Sequence, residues 1–283
     1  MKGLEILVRT LSSARIRDPF GNEWQYQSRS DHHSKVACWG ILFDLLRTSA
    51  LFREHVAKSS VVFGVNHEMR DFKNNRKKDL DLVIARPRAG VKKSDARIFS
   101  DLAESYKIDI TPEERASLAA LPPLHEGPVG TVQIALEAKA CMTAHVKALP
   151  RLYDELNSSQ QTIHGAADEA VAVGFVMVNA ATSFLSPVKN RFDLRRKKPD
   201  VSVHSQPGVT ERVVEKIREM DRRSKTGDSG FDALGIAVID CRNDRSPVTL
   251  INAPPAPQPG DIYNYESMIG RVAQLYESRF RVV

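Results

Sequence analysis

Cysteine is scarce in this chain: Cys38, Cys141 and Cys241 are odd in number, far apart, and part of no CxxC or Cys/His cluster of zinc spacing. That pattern excludes a disulfide framework and reads as reduced, partly buried thiols in a cytosolic protein. Long apolar runs are missing too. No stretch approaches the roughly 20 apolar residues of a membrane span, and the opening MKGLEILVRTLSS is too short and too charged for a signal peptide. The expected location is the cytoplasm, with no membrane partner. There is no G-x-S-x-G elbow, phosphate loop or dinucleotide fingerprint, which argues against triad hydrolases, nucleotide hydrolases and dehydrogenases. No internal repeat appears.

What is present is enough apolar material, 42% of 283 residues, to fill the core of one large α/β domain or two small ones. Against 35 acids stand 41 lysines and arginines, a net charge of +6. This favours a polyanionic partner without requiring one.

Along the chain, Leu4, Leu7, Val8 and Leu11 form a short amphipathic segment, and the polar, aromatic-bearing loop DPFGNEWQYQSRS leads to helix N-cap chemistry at Ser30 or Asp31. Val36, Trp39, Phe43, Leu46 and Ala50 then keep the i, i+3, i+4 rhythm, which predicts one long helix toward His55. VVFGV (61–65) and DLDLVIA (79–85) read as strands of a hairpin with a loose basic connection. ARIFSDLAESY and the segment capped by Thr111-Pro112-Glu113-Glu114 read as an inserted helical pair. A helix carrying Leu149, Leu152, Tyr153 and Leu156 follows, then the wholly apolar run of 170–178, suited to a strand covered on both faces. Further on, DVSVH, ALGIAVIDC and PVTLI read as strands. TERVVEKIREMDRR is an amphipathic helix with Arg212, Lys216, Arg218, Arg222 and Arg223 on its wet side, and a last helix aligns Ile269, Val272, Leu275 and Tyr276.

The expected fold is therefore α/β, a central mixed sheet flanked by helices, in a single domain over 1–283. Its core spans about 31–180, with a helical insertion at 92–128 and additional C-terminal elements, 181–283, available for DNA binding or dimerisation.

One stretch conflicts with its surroundings. TVQIALEAKACM (131–142) is apolar and β-prone, yet carries Glu137 and Lys139 two residues apart, hence on one face. Charge is not buried there cheaply unless it is paired or bound to metal. Asp79 and Asp81 enter DLDLVIA on one face with Val83 and Ala85, while Leu80, Leu82 and Ile84 take the other. If the two strands are neighbours, Asp81, Glu137 and Lys139 converge. Two carboxylates with open positions suit Mg²⁺, which takes few protein oxygens. Such a metal activates water and stabilises charge on a scissile phosphodiester, while a lysine orients or deprotonates that water. The plain alternative is a salt pair on a half-exposed strand.

Asp81 on one apolar strand, then Glu137-Ala138-Lys139 on a second, between a long helix before and a helix and an apolar strand after, resembles the PD-(D/E)XK nuclease superfamily, and within it the type II restriction endonucleases. The likeness covers about residues 35–180. It implies Asp81 and Glu137 as metal ligands, the Ala138 carbonyl as a further one, Lys139 as the catalytic lysine, Mg²⁺ (with Mn²⁺ as a substitute), double-stranded DNA as substrate and a homodimer. Glu54 and Glu68 are the candidates for an extra acid. Leu80 stands where the family name has proline, and about 55 residues separate Asp81 from Glu137. Phosphate contacts would fall on Lys73, Arg76, Lys77 and Lys78, and on Lys189, Arg191, Arg195, Arg196, Lys197 and Lys198, runs that otherwise read as solvated loops. A junction resolvase or transposon-end nuclease, or a non-catalytic nucleic-acid-binding protein of a defence or toxin system, are the alternatives. His32, His33, His145 and His164 lack ligand spacing and read as surface or helix-end residues.

Overall fold

The Glu137–Lys139 stretch lies in β5 (Val129–Cys141), an interior strand of a six-stranded mixed sheet. The computed structural model describes residues 1–72, 74–88 and 97–281. Its other elements are α1 (Gly3–Ser13), β1 (Ile16–Arg17), β2 (Glu23–Trp24), α2 (His32–Thr48), α3 (Ala50–Ala57), β3 (Val62–Asp71), β4 (Arg76–Pro87), α4 (Asp101–Ser105), α5 (Pro112–Ala119), α6 (His145–Ala166), β6 (Val171–Asn179), β7 (Ser183–Leu185), β8 (Val201–Val203), α7 (Gly208–Arg218), β9 (Ala233–Asp240), β10 (Thr249–Leu250) and α8 (Tyr265–Arg279). The sheet order is β10-β9-β6-β5-β4-β3, with β1-β2 and β7-β8 as small separate sheets.

β5 is antiparallel to β4 and parallel to β6, so it is one of the two strands, with β9, at which the sheet changes from antiparallel to parallel pairing. On one face, Ile134, Leu136 and Ala138 of β5 pack with α1, α2, α3 and α8; on the other, Val132, Ala135 and Cys141 pack with α6 and α7. Every residue of β6 is buried, as a strand covered on both faces requires. Two strands (β9, β10) and two helices (α7, α8) of the central layers come from beyond residue 180, so the sheet extends past the 31–180 core. No helix among the described residues is long and apolar enough to cross a membrane.

Several local expectations are corrected. The helix expected to run to His55 is two, because Ser49 is extended and its Oγ accepts the Phe52 N–H, opening α3. The loose connection after VVFGV is instead strand on both sides, pairing as far as Asp71 with Arg76. ARIFSDLAESY yields only the five-residue α4, whereas Thr111 and Glu114 form the full capping box of α5; residues 89–96 lie outside the described part. Strict alternation in β4 also fails. Leu80 joins Val83 and Ala85 on the α6 side, while Leu82 and Ile84 pack on the other. The shift sits beside Asn66 of β3, whose φ of 47° is left-handed, a conformation asparagine tolerates.

α7 ends at Arg218, so helical periodicity does not govern Arg223, which is buried rather than wet. Its Nε lies 3.7 Å from the fully buried Asp232 carboxylate, which Arg279 also meets at 2.5 Å. His145 is likewise buried and His164 is half-buried. His145 Nε2 lies 2.7 Å from the Asn179 carbonyl and His164 Nε2 lies 2.9 Å from that of Gly230. All three cysteines are buried and unpaired.

Candidate active site

Alternation along β5 puts Glu137 and Lys139 on the side of Ala135 and Cys141, facing α6. Glu137 is 1% exposed, and the Lys139 ammonium stands 2.5 Å from its Oε1. Lys78 Nζ reaches to 4.0 Å of the same oxygen, and Glu155 of α6 lies 3.8 Å from Lys139 Nζ while accepting from Arg151 at 2.6 Å. Glu137 Oε2 is buried and has no hydrogen-bond partner among the described residues, although a carboxylate oxygen so placed demands one.

Asp81 reaches the same spot from β4. The pairing of β4 with β5 ends at Leu82 and Leu136, so the strands part just where Asp81 and Glu137 would meet as the next pair. Asp81 Oδ2 fills the gap by accepting the Ala138 N–H at 2.8 Å, in place of a ladder bond. In an extended strand one residue's N–H and C=O serve the same neighbour, so the Ala138 carbonyl also turns toward this opening. Asp81, Ala138 and Lys139 line a cleft of about 510 Å³, walled further by Ser34 of α2, Arg29 before it, and Arg151 and Glu155 of α6. Glu137 itself does not line the cleft but is ion-paired to Lys139, which does.

Burial raises the Asp81 carboxyl above its ordinary value, against the pull of the Ala138 N–H, the Ser34 hydroxyl and Lys139. It raises Glu137 as well, opposed by Lys139 and reinforced by the Asp81 charge. For Lys139 burial works downward, but the charges of Glu137, Asp81 and Glu155 outweigh it and hold the ammonium above the ordinary range. His33, beside the cleft, is pushed down to about 4 by burial and then by Lys139, so it is neutral at physiological pH.

No protein-family model matches the chain, and no curated protein or solved structure shows significant similarity to it.

Of the residues singled out in the sequence, Asp81, Glu137, Ala138 and Lys139 are brought together. Glu54 and Glu68 are not. Glu54 pairs with Lys58 on the exposed face of α3, and Glu68 pairs with Lys77 at 2.9 Å on the outer ribbon, and neither lines the cleft. Glu155 stands there instead, with Asp31 close enough to influence Asp81. Nothing in the sequence distinguishes Glu155 from other polar residues of an amphipathic helix. Among the basic residues, Lys78 belongs to the ion cluster around Glu137, and Arg76 bonds Gln161. Lys189 faces Asp200, Arg195 and Arg196 face Asp193, and Lys197 covers the Phe192 ring. Arg191 and Lys198 are exposed, and Lys73 lies outside the described residues.

The donors fit a hard divalent cation. Glu137 offers an unpartnered oxygen, Asp81 a second carboxylate, and the parted strands a carbonyl, which matches an ion content with few protein oxygens. No cluster of three His, Cys, Asp or Glu side chains with metal-binding geometry exists among the described residues, so water and substrate would complete the shell.

Proposed function

We propose that this chain is a Mg²⁺-dependent DNA endonuclease of the restriction type, acting as a homodimer on double-stranded DNA. The observation that carries the reading is the buried Glu137 carboxylate, one oxygen on Lys139 and the other without a partner, set beside Asp81 where two strands part. A structural salt pair leaves no reason for the orphaned oxygen or for a second acid that takes a backbone N–H out of the ladder. The resemblance to the PD-(D/E)XK superfamily supports the same reading, as does the net charge of +6.

Asp81, Glu137 and the Ala138 carbonyl would hold the ion, which when bound supplies Lewis acidity toward a phosphodiester oxygen and toward water. The chain's own residues do the rest. Lys139, held protonated by the acids around it, places a positive charge where a phosphate oxygen gains negative charge. Glu155 fixes the Lys139 side chain from the α6 side, and Arg29 and Arg151 offer phosphate contacts at the cleft wall. Hydrolysis joins the water oxygen to phosphorus, breaks the bond to one sugar oxygen, and sends the water's proton to that leaving oxygen through solvent.

Plasmid DNA incubated with the purified protein in Mg²⁺ or in EDTA tests this. Cleavage in Mg²⁺ alone is expected, with discrete bands if cutting is sequence-specific and a smear if it is not. Binding without cleavage under both conditions would replace the reading with a non-catalytic nucleic-acid-binding protein.

A further inference from the structure

Beside the catalytic cleft lies a smaller cavity of about 220 Å³, walled by Pro19 and Phe20 on one side and Pro187, Val188 and Arg191 on the other, with Arg29 between the two spaces. Phe20 and Val188 are 43% and 48% exposed, unusual for residues that gain by burial. Neither Arg29 nor Arg191 has a carboxylate partner among the described residues. The one acid in the wall, Asp18, is consumed internally: it accepts from the Phe20, Asn22 and Trp24 N–H groups and the Asn22 amide, all at 2.8–2.9 Å.

The two walls are tied together. Asn22 donates to the Phe192 carbonyl at 2.8 Å and accepts from the Leu194 N–H at 3.0 Å. The second wall is itself braced by Asn190, which bonds Ser186 and Asp200 across its loop. An apolar slot with free guanidinium groups at its rim is thus built before any ligand arrives, so little ordering cost falls on binding.

The volume is below the ~300–1,000 Å³ of sites that enclose drug-sized ligands. It suits one planar ring rather than a cofactor. An aromatic side with cations at the edge is how unpaired bases are held, the ring stacking on the base face and the arginines meeting the phosphates. We infer that this cavity is a nucleotide subsite that takes one unstacked base of the substrate strand against Phe20, with its flanking phosphates on Arg29 and Arg191. Because Arg29 also lines the catalytic cleft, the held nucleotide neighbours the phosphate to be cut. Gln27, in the same wall, offers an amide to the base edge. The inference rests on the nuclease reading and adds to it a reason for local strand opening.

The test is binding of a fluorescein-labelled single-stranded oligonucleotide to the full chain in EDTA, followed by anisotropy. Phe20→Ala should weaken binding about 5- to 150-fold, the loss of one base–aromatic stack, and Phe20→Trp should restore it. Arg191→Ala should reduce the slope of log affinity against log salt by about one. Wild-type affinity in both Phe20→Ala and Arg191→Ala overturns the subsite and leaves the nuclease reading standing if Mg²⁺-dependent plasmid cleavage persists. A wild-type chain that neither binds the oligonucleotide nor cuts plasmid overturns both.

Discussion

Replacing Lys139 by methionine keeps the reach of the side chain and removes its charge. Stripping one partner from a buried ion pair costs about 3–5 kcal/mol, because the remaining carboxylate is desolvated and uncompensated. Two features soften the loss here: Lys78 Nζ stands 4.0 Å from the same Glu137 oxygen, and Lys139 keeps 26% side-chain exposure. We therefore expect Lys139→Met to lose about 2–3 kcal/mol at pH 8. The loss must depend on pH. Burial already holds Glu137 above its ordinary value of 4.5, and Lys139 is the largest influence opposing that rise. Without the ammonium, the folded-state value climbs further. A carboxyl raised in this way stabilises the fold below its unfolded pKa, and that contribution vanishes as pH rises through the folded value. The deficit should be full at pH 8 and shrink toward pH 4.5. Guanidinium titrations followed by the emission of the buried Trp24 and Trp39 measure it. Glu137→Gln in the Lys139→Met background should recover most of the loss, since no charge is then orphaned. Equal deficits at the two pH values, or a double variant no better than the single, would refute the pairing.

Asp81→Asn should abolish Mg²⁺-dependent plasmid cleavage while leaving oligonucleotide binding intact. Because burial raises the Asp81 carboxyl above 3.8, the same variant should melt above wild type at pH 8, with the gap closing as pH falls toward 3.8; scanning calorimetry reads this. Glu155→Gln should slow cleavage roughly 5- to 10-fold, about 1 kcal/mol of hold on Lys139, and an unchanged initial rate would remove Glu155 from the site. Arg223→Met should cost about 3 kcal/mol in a denaturant titration by removing one of the two arginines that face buried Asp232, and Asp232→Asn in that background should return part of it.

The central strand and its conflict of charge were readable because two periodicities, apolar composition and spacing of charged residues, are local properties of 131–142. Asp81 was readable for the same reason, though not its final orientation. That orientation depends on the irregularity opposite Asn66 and on where β4 and β5 separate, which are facts of pairing between distant segments. Glu155 was hidden because an amphipathic helix shows which residues are wet without showing which of them faces a cleft. Arg223 was misplaced by extending a helical rhythm past Arg218, after which the chain turns inward to Asp232. Lys78 read as part of a solvated basic run, yet the alternation of β4 carries it under α6, to Glu137. The Ser49 break escaped because serine at that position is compatible with a helix until its side chain caps the next one.

The buried thiols have a practical side. Burial raises Cys141 and Cys241 to about 12 and Cys38 well above its ordinary value, the last helped by the Asp81 and Glu137 charges. Thiolate is the reactive form, so maleimide or iodoacetamide applied to the folded chain at neutral pH finds almost no target. The natural sequence is thus close to a blank background for site-specific labelling. A single cysteine introduced on the exposed face of α7, paired with a dye-labelled oligonucleotide, would report by energy transfer whether a strand enters the cleft, with no native thiol to remove first.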